Sequence, residues 1–532
     1  MTTPTAAPDR AASRDERSGF RDLLHAEWTK FRTVRGWVTG MVVAALVTVL
    51  IGLLAAAGSH TSCNGGPCHF RYPVGPGGEA VTDSFYFVHQ PLAGGGSITA
   101  RVTSLTGLLP TASNGRIRAG QGPQTGMHPG LEAWSKAGII IKQSTRQGSA
   151  YAAMMVTGGH GVRMQYDYTQ DVAGLAGAVT AASPLWLRLT RAGDTVTGYD
   201  SADGRHWTLV GTATLPGLSS AVQVGLFASS PAYTVTSAQG VLGMSGTGGP
   251  TLATGVLDHV SLHGNRPAVG WAGTAVGGGP SAATPVQGGG YHRAGGRFTV
   301  TGSGDIAPDV PGGAGPGQTL DHTLAGAFVG LIAVVVVGTM FITAEYRRDL
   351  IRTTFAASPR RGLVLAAKAI VIGSVTFAAA LVAAVVAVPL SSRLLRDNGN
   401  YLYPVTRLAE ARMVVGTAAM LAVAAVLALA IGALLRRSAI AVTVVIVAIV
   451  LPYLISVTNL LPAGAGQWLL RLAPAAAFSI QQTIPNYPQA GNVCSVAGGC
   501  YPLAPWAGFA VLCAWAAAAL GLAAFLMRRR DA

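Results

Sequence analysis

Six stretches of the chain, at 37–57, 322–343, 363–390, 413–435, 439–461 and 504–527, are apolar and almost free of charge. A helix rises 1.5 Å per residue, so about 20 such residues cover the roughly 30 Å of hydrocarbon in a bilayer. A soluble protein can bury one helix of this kind, but six find enough apolar surroundings only in lipid. Ahead of the first stretch, in 19–36, Phe20, Leu23, Leu24, Trp28 and Phe31 recur at helical spacing, with Arg21, His25, Glu27, Lys30 and Arg32 between them. That pattern predicts an amphipathic helix lying in the membrane interface. Residues 1–18, rich in Ala, Thr, Pro and charge, show no apolar face and are expected to be disordered.

The pattern changes between 58 and 321. Helical periodicity is absent, and short alternating or β-branched runs are punctuated by Gly and Pro, as at 85–88, 97–102, 137–142, 151–156, 162–166, 185–190, 195–199, 207–210 and 222–227. Many short strands at this spacing predict an all-β sandwich or jelly roll. The clearest hairpin joins 196–199 to 207–210 through a turn containing Asp203-Gly204, where glycine accepts a positive φ. A further strand is expected at 296–305, and 310–319 reads as a linker into the second span. The fold class is therefore a six-helix transmembrane bundle carrying one β-sandwich domain.

Composition agrees with two solvents in one chain: 50% hydrophobic and 11% charged residues, a mean hydropathy of +0.42, and 70 Gly concentrated in the β-rich region. A formal charge of +15 would suggest nucleic acid if it lay on one soluble face, but the basic residues sit beside the apolar runs. Seven lie before the first span, six in 344–368, then Arg436, Arg437 and Arg528 to Arg530. With six alternating spans these groups share one side, which the positive-inside rule makes cytoplasmic. Both termini are then inside and the β-rich domain outside, with Arg393, Arg396, Arg407 and Arg412 as the exception and Arg412 expected to snorkel from a helix end. On that outer side Cys63 with Cys68, and Cys494 with Cys500, are candidate disulfides by proximity, although four cysteines allow three connectivities. Zinc would need the two pairs to converge with further ligands.

The outer region offers little for catalysis. Glycoside hydrolysis needs two opposed carboxyls, and the only glutamates, Glu79 and Glu132, have no second acid two or four residues on in a strand. Asp167, Asp171, Asp200 and Asp203 lack a calcium-loop spacing and read as solvated turn residues. Trp134, Trp186, Trp207 and Tyr199 are candidate stacking faces for a glycan, although such aromatics also fill sandwich cores.

Several segments resemble known families. Phe85-Tyr-Phe-Val-His-Gln-Pro91, Trp134-Ser-Lys-Ala-Gly-Ile-Ile-Ile-Lys142, Pro184-Leu-Trp-Leu-Arg-Leu-Thr190 and Gly193-Asp-Thr-Val-Thr-Gly-Tyr199 resemble the concanavalin A-like lectin/glucanase superfamily across about 70–230. That resemblance concerns strands and does not fix a function. The loop 344–362, Ala344-Glu-Tyr-Arg-Arg-Asp-Leu-Ile-Arg-Thr-Thr-Phe355 and onward, together with the leader Leu23-Leu-His-Ala-Glu-Trp-Thr-Lys-Phe-Arg32, resembles the permease subunits of ABC exporters, in their actinobacterial form. The resemblance implies a bacterial cell-membrane subunit that dimerises with itself or a second permease. It implies a separate ATP-binding subunit that brings ATP and magnesium, since no Gly-x-x-x-x-Gly-Lys-Ser/Thr stretch is present. It also implies that Glu345, Tyr346, Arg347, Arg348, Arg352 and Thr353, with Glu27, Lys30 and Arg32 nearby, form the contact with that subunit. This chain would then be a transporter subunit and not an enzyme. The competing reading is a membrane-anchored carbohydrate-binding or sensory protein that acts through its outer domain and captures a glycan.

Overall fold

The computed structural model describes the chain except residues 1–8, 61, 64–65, 68–71, 111–125, 240–242, 266–268, 278–288, 311–316, 348–359, 458–460, 462, 491–495, 497–498 and 530–532. The chain divides into two compact units. One is helical; the other, Phe70–Gly317 with Asn486–Val493, is built on β-structure.

In the helical unit α1 (Asp9–Thr33) is followed by α2 (Arg35–Gly58), α3 (Gly326–Arg347), α4 (Arg361–Asp397), α5 (Arg407–Leu435), α6 (Ser438–Val457), the short α7 (Ala463–Leu472) and α8 (Pro505–Arg529). Six of these, α2 to α6 and α8, are long and apolar enough to cross a membrane. Helix α1 begins at Asp9, so residues expected to be disordered are helical; Ala, Arg and Glu between Arg10 and Arg17 are good helix formers. Helix α4 also outruns its apolar stretch. At 37 residues it is about 55 Å long, and Arg393 and Arg396 lie in its final turns rather than in a loop, where cations suit the negative end of the helix dipole. Arg412 does not snorkel: it is half-buried in α5 and donates to the carbonyl of Gln482.

Small residues set the closest helix contacts. Along α2, Gly40, Ala44, Thr48 and Gly52 recur every four residues, which places them on one face. That face meets Gly326, Gly330 and Val337 of α3. A Cβ on Gly326 would lie 2.0 Å from the Thr48 carbonyl oxygen, and one on Gly330 2.1 Å from Thr48 Oγ1. Interfaces of this kind rely on backbones approaching closely, because lipid supplies no hydrophobic drive between helices. Helices α3 and α5 are the most enclosed spans, whereas α2 leaves Val42, Leu46, Leu50 and Leu54 exposed as one stripe. After α6 the chain forms α7 and then a 3-10 helix, Pro474–Gln481, every residue of which is buried.

The β unit is organised by one strand. β1 (Phe85–Pro110) runs 26 residues and unites two stretches that the sequence suggested as separate strands. It turns at Gly94, whose φ of 72° suits glycine, and at Gly96 a Cβ would lie 2.4 Å from the His263 carbonyl oxygen. The remaining strands of the same antiparallel sheet are β2 (Met127–Pro129), β3 (Lys136–Lys142), β4 (Tyr151–Thr157), β5 (Val162–Tyr166), β6 (Gln170–Ala173), β7 (Leu185–Ala192), β8 (Thr195–Ser201), β9 (Thr208–Thr214), β10 (Ala221–Ser229), β11 (Leu252–Asn265), β12 (Ala272–Val276), β13 (Gly290–Ala294) and β14 (Arg297–Gly302).

The first half of β1 lies between β12 and β10, from which the order continues β3, β4, β5, β6. Its second half lies between β7, which leads to β8 and β9, and β11, which leads to β14 and β13. The two halves fold over one another as a sandwich, with β1 making the corner. Val88, Leu92, Ile98, Ala100 and Val102 all point from β1 into the shared core. Cross-layer packing is tight: a Cβ on Gly198 of β8 would lie 2.6 Å from Met154 Sδ of β4.

The other face of the β1–β10–β3–β4 layer is also buried. Phe85, Phe87, Ile140, Tyr151, Met155 and Phe227 pack beneath Val81 and Ile306, which belong to two short paired strands, Val81–Asp83 and Ile306–Pro308. On this face β3 carries Lys136 and Lys142, both fully buried and neutralised by Asp305 at 2.6 Å and Asp83 at 2.7 Å.

The α2–α3 contact predicts a contrast between two glycines. Gly330→Leu is expected to cost about 1–3 kcal/mol or more through overpacking. Gly521→Ala in α8, where a Cβ meets nothing within 4 Å, is expected to be neutral or slightly stabilising. Thermal melting of the detergent-solubilised protein checks both.

Candidate functional site

In the helical unit, where α1 meets the last turn of α3 and the start of α4, four charged side chains converge. The Lys368 ammonium lies 2.7 Å from Glu27 Oε2 and 2.6 Å from Glu345 Oε1. Lys30 closes the ring from the other side, 2.9 Å from Glu27 Oε1 and 3.1 Å from Glu345 Oε1. Glu27, Glu345 and Lys368 are buried, and only Lys30 reaches solvent.

Local sequence explains each position. Glu27 and Lys30 are three residues apart on one face of α1. Glu345 is two residues from the end of α3, and Lys368 is two turns into α4. Around the join between α1 and α2, Phe31 and Trp37 stack on one another and both meet Phe341 edge to face (Trp37 to Phe341, 4.9 Å), and the Lys368 ammonium sits 4.9 Å above the Phe341 ring. This apolar wall lowers the local dielectric, which strengthens the ion pairs and raises the cost of leaving any member unpaired.

The placement revises the expectation for Glu345. Its carboxylate is not offered to a partner at the surface; it is held inside the protein between two lysines. Tyr346 is half-buried, with the Arg436 guanidinium 5.1 Å from its ring centre. Arg347 ends α3 and is exposed, as is Arg32 on α1. Arg348, Arg352 and Thr353 lie outside the described residues. Lys368, counted from sequence among the charges that orient the spans, is instead the centre of the cluster. Its signal was a lone lysine just inside an apolar stretch.

In the β unit three of the four aromatic candidates share one face. Trp186 and Arg188 of β7 point away from the core, beside Arg101 and Thr99 of β1 and Tyr199 and Ser201 of β8. Their rings are not bare platforms. Arg188 lies 3.8 Å from the centre of Trp207, Arg101 lies 5.6 Å from that of Trp186, and Gly204 packs against the Trp186 face. Arg101 also makes a two-pronged ion pair with Asp258, at 2.7 and 2.8 Å. Trp134 lies apart, buried and stacked on His160 at 4.0 Å.

The four acids read as solvated turn residues fare differently. Asp203 is in the exposed β8–β9 turn, but Asp200 is buried and accepts from the Leu175 amide, and Asp171 pairs with Arg163. Among the described residues no group of three or more His, Cys, Asp or Glu is placed to hold a metal. Cys500 is disulfide-bonded and Cys513 is a free thiol. Cys68 and Cys494 lie outside the described residues, as does the side chain of Cys63.

The ring of charges predicts an asymmetry. Lys368→Met leaves two buried carboxylates short of a cation and is expected to destabilise the bundle by about 3–5 kcal/mol. Lys30→Met removes the solvent-reaching member and is expected to cost about 1 kcal/mol or less. Melting of both variants in one detergent tests the ordering.

No family model matches the chain, and no curated protein matches it. Among solved structures it is similar to the GH43 BlXynB protein from Bacillus licheniformis, at 14% identity over 25% of this chain and 24% of that one, with a TM-score of 0.17. The chain thus spans about a quarter of that protein's length. It is also similar to a functionally unknown protein from Saccharomyces cerevisiae (16% identity, 40% of this chain and 94% of that, TM-score 0.21). A third likeness is to scytalido-glutamic peptidase with a transition-state analogue inhibitor (7% identity, 41% and 98%, TM-score 0.24). Likenesses this distant assign no chemistry to this chain.

Proposed function

We propose that this chain is the membrane-spanning subunit of an ATP-driven ABC exporter, worked by a separate ATP-binding subunit that acts on the loop after α3. The observation that carries this reading is the ring of Glu27, Lys30, Glu345 and Lys368, which ties α1 to the adjoining ends of α3 and α4. A push on the loop between α3 and α4 would reach both spans and the leader helix together, because separating any one of them would strand a buried charge. Glu345 and Lys368 then act as positioning residues inside the lever, and the exposed Arg347 and Arg32 are the nearer candidates for touching the partner. In this reading the ring faces the cytoplasm, as the distribution of Lys and Arg suggests. The sandwich, a concanavalin A-like domain, is then extracellular, and the subunit pairs with a second copy or a second permease. The Cys63–Cys68 and Cys494–Cys500 disulfides belong to the same outer side.

A second reading, a membrane-anchored glycan-binding or sensory protein, draws on the clustering of Trp186, Trp207 and Tyr199 on one sheet face. It would require Arg101 and Arg188 to move off the rings, or to bind the ligand themselves.

Glu345→Gln keeps the shape of the side chain and removes its charge. In vesicles containing the partner ATPase it is expected to cut stimulation of ATP hydrolysis by about tenfold, equivalent to about 1.4 kcal/mol of lost coupling, while insertion is unchanged. Unaltered stimulation removes the ring from the mechanism. For sidedness, a maleimide that does not cross membranes is expected to label Ala202→Cys in intact cells and Arg347→Cys only after permeabilisation.

A further inference from the structure

One corner of the β unit departs from ordinary turn geometry. Between β5 and β6, Asp167 (φ 42°) and Tyr168 (φ 62°) are consecutive non-glycine residues in the left-handed region, which is uncommon for a bulky side chain such as Tyr168. Tyr168 is completely buried and its hydroxyl donates to Asp83 Oδ2 at 2.7 Å. The Lys142 ammonium donates to the same oxygen and to the Ser149 carbonyl. From outside, the buried Gln489 amide donates to the carbonyls of Tyr168 (3.4 Å) and Thr169 (3.2 Å). Gln489 sits in a short 3-10 turn, Pro488–Ala490, within the segment Asn486–Val493 that belongs to the β unit although the chain on both sides belongs to the helical one.

The charges around this corner do not balance. Lys142 neutralises Asp83, Lys136 neutralises Asp305 on the same sheet face, and Arg163 of β5 neutralises Asp171 of β6. Tyr151 of β4 and Tyr487 beside the Gln489 turn are phenols that burial keeps protonated. That leaves Asp167 and Glu79, which repel one another and make no ion pair among the described residues. Asp167 Oδ1 and Glu79 Oε1 are both buried and accept no hydrogen bond among those residues. The Glu79 carboxylate is folded back onto its own turn, where a Cβ on Gly75 would lie 2.0 Å from Oε1 and 3.1 Å from the Tyr168 ring.

We propose that the Asp167–Tyr168 corner and its Gln489 clasp form a proton-operated latch: protonation of Asp167, beside the like charge of Glu79, closes it, and losing that proton leaves two carboxylates that repel one another and frees the Pro488–Ala490 turn. Burial pushes the Asp167 carboxyl up from 3.8 to about 6 and moves Glu79 in the same direction. A carboxyl raised in the closed form binds protons more tightly there than when opened to water. Closure is therefore favoured fully below the free carboxyl range and is lost as pH rises through about 6.

Hydrogen–deuterium exchange on the full chain in nanodiscs, corrected for the intrinsic pH dependence of exchange, tests the latch. Amides of 166–170 and 486–490 are expected to exchange about tenfold more slowly at pH 5 than at pH 7.5, while the β7–β8 hairpin is unchanged. Asp167→Asn keeps a side chain that tolerates positive φ and mimics the protonated acid, so it is expected to give slow exchange at both pH values. Gln489→Ala is expected to give fast exchange of 166–170 at both. Equal protection of wild-type protein at the two pH values, or a pH effect that survives in Asp167→Asn, overturns the proposal.

Discussion

A closed ring of two glutamates and two lysines, only one of which, Lys30, reaches water, is the constraint on which the helical unit turns. Isolated, each charge would be expensive at this depth; together they alternate in sign, and every charge has two opposite neighbours within about 3 Å. Such an arrangement gives little net stability over an apolar one of the same shape. What it does give is specificity of position, because sliding α1 along α3 or α4 would strand at least one charge. The aromatic packing of Phe31, Trp37 and Phe341 around it serves the same end by keeping water out. Elsewhere in the bundle position is set by shape: glycines and Thr48 bring α2 and α3 together, and that contact tolerates no added methyl group.

The β unit follows the same logic with different materials. Its shared core is mainly aliphatic, with Met154 and Met164 among the valines, leucines and alanines, but the second buried face carries two lysine–aspartate pairs and the tyrosines Tyr151 and Tyr168. Lys136 and Lys142 lie six residues apart on one strand and so point the same way. Each fastens one of the short strands that cover this face, through Asp305 and Asp83. Removing the cover would expose an aromatic surface and leave both ammonium groups without a carboxylate, so the cover belongs to the fold as fully as the sheet does.

Much of this was legible in the sequence. The apolar runs gave the spans because lipid imposes a length, and alternation gave the strands because a sandwich imposes a period of two. What was hidden depends on distance along the chain. That 85–88 and 97–102 belong to one strand could not be read from Gly94-Gly95-Gly96, since the same glycines equally suit a loop. Lys368 looked like an orientation charge because its partner Glu27 is 341 residues away. Glu79 has no second acid close to it in sequence, whereas the fold brings the Asp167 turn into its electrostatic reach. The aromatic candidates illustrate the opposite limit: residue type was read correctly, yet the arginines that cover their rings come from neighbouring strands.

β1 also carries a consequence for synthesis. Its partners are β2, β7, β10, β11 and β12, which end as late as Val276, so a strand finished at residue 110 waits for more than 160 further residues before its last neighbour exists. Long-range pairing of this kind is slow, and an unpaired 26-residue strand is an adhesive edge in the meantime. The nascent domain therefore depends on whatever shields it during that interval, and the tempo of chain delivery, as much as the final energy, decides the yield of folded protein.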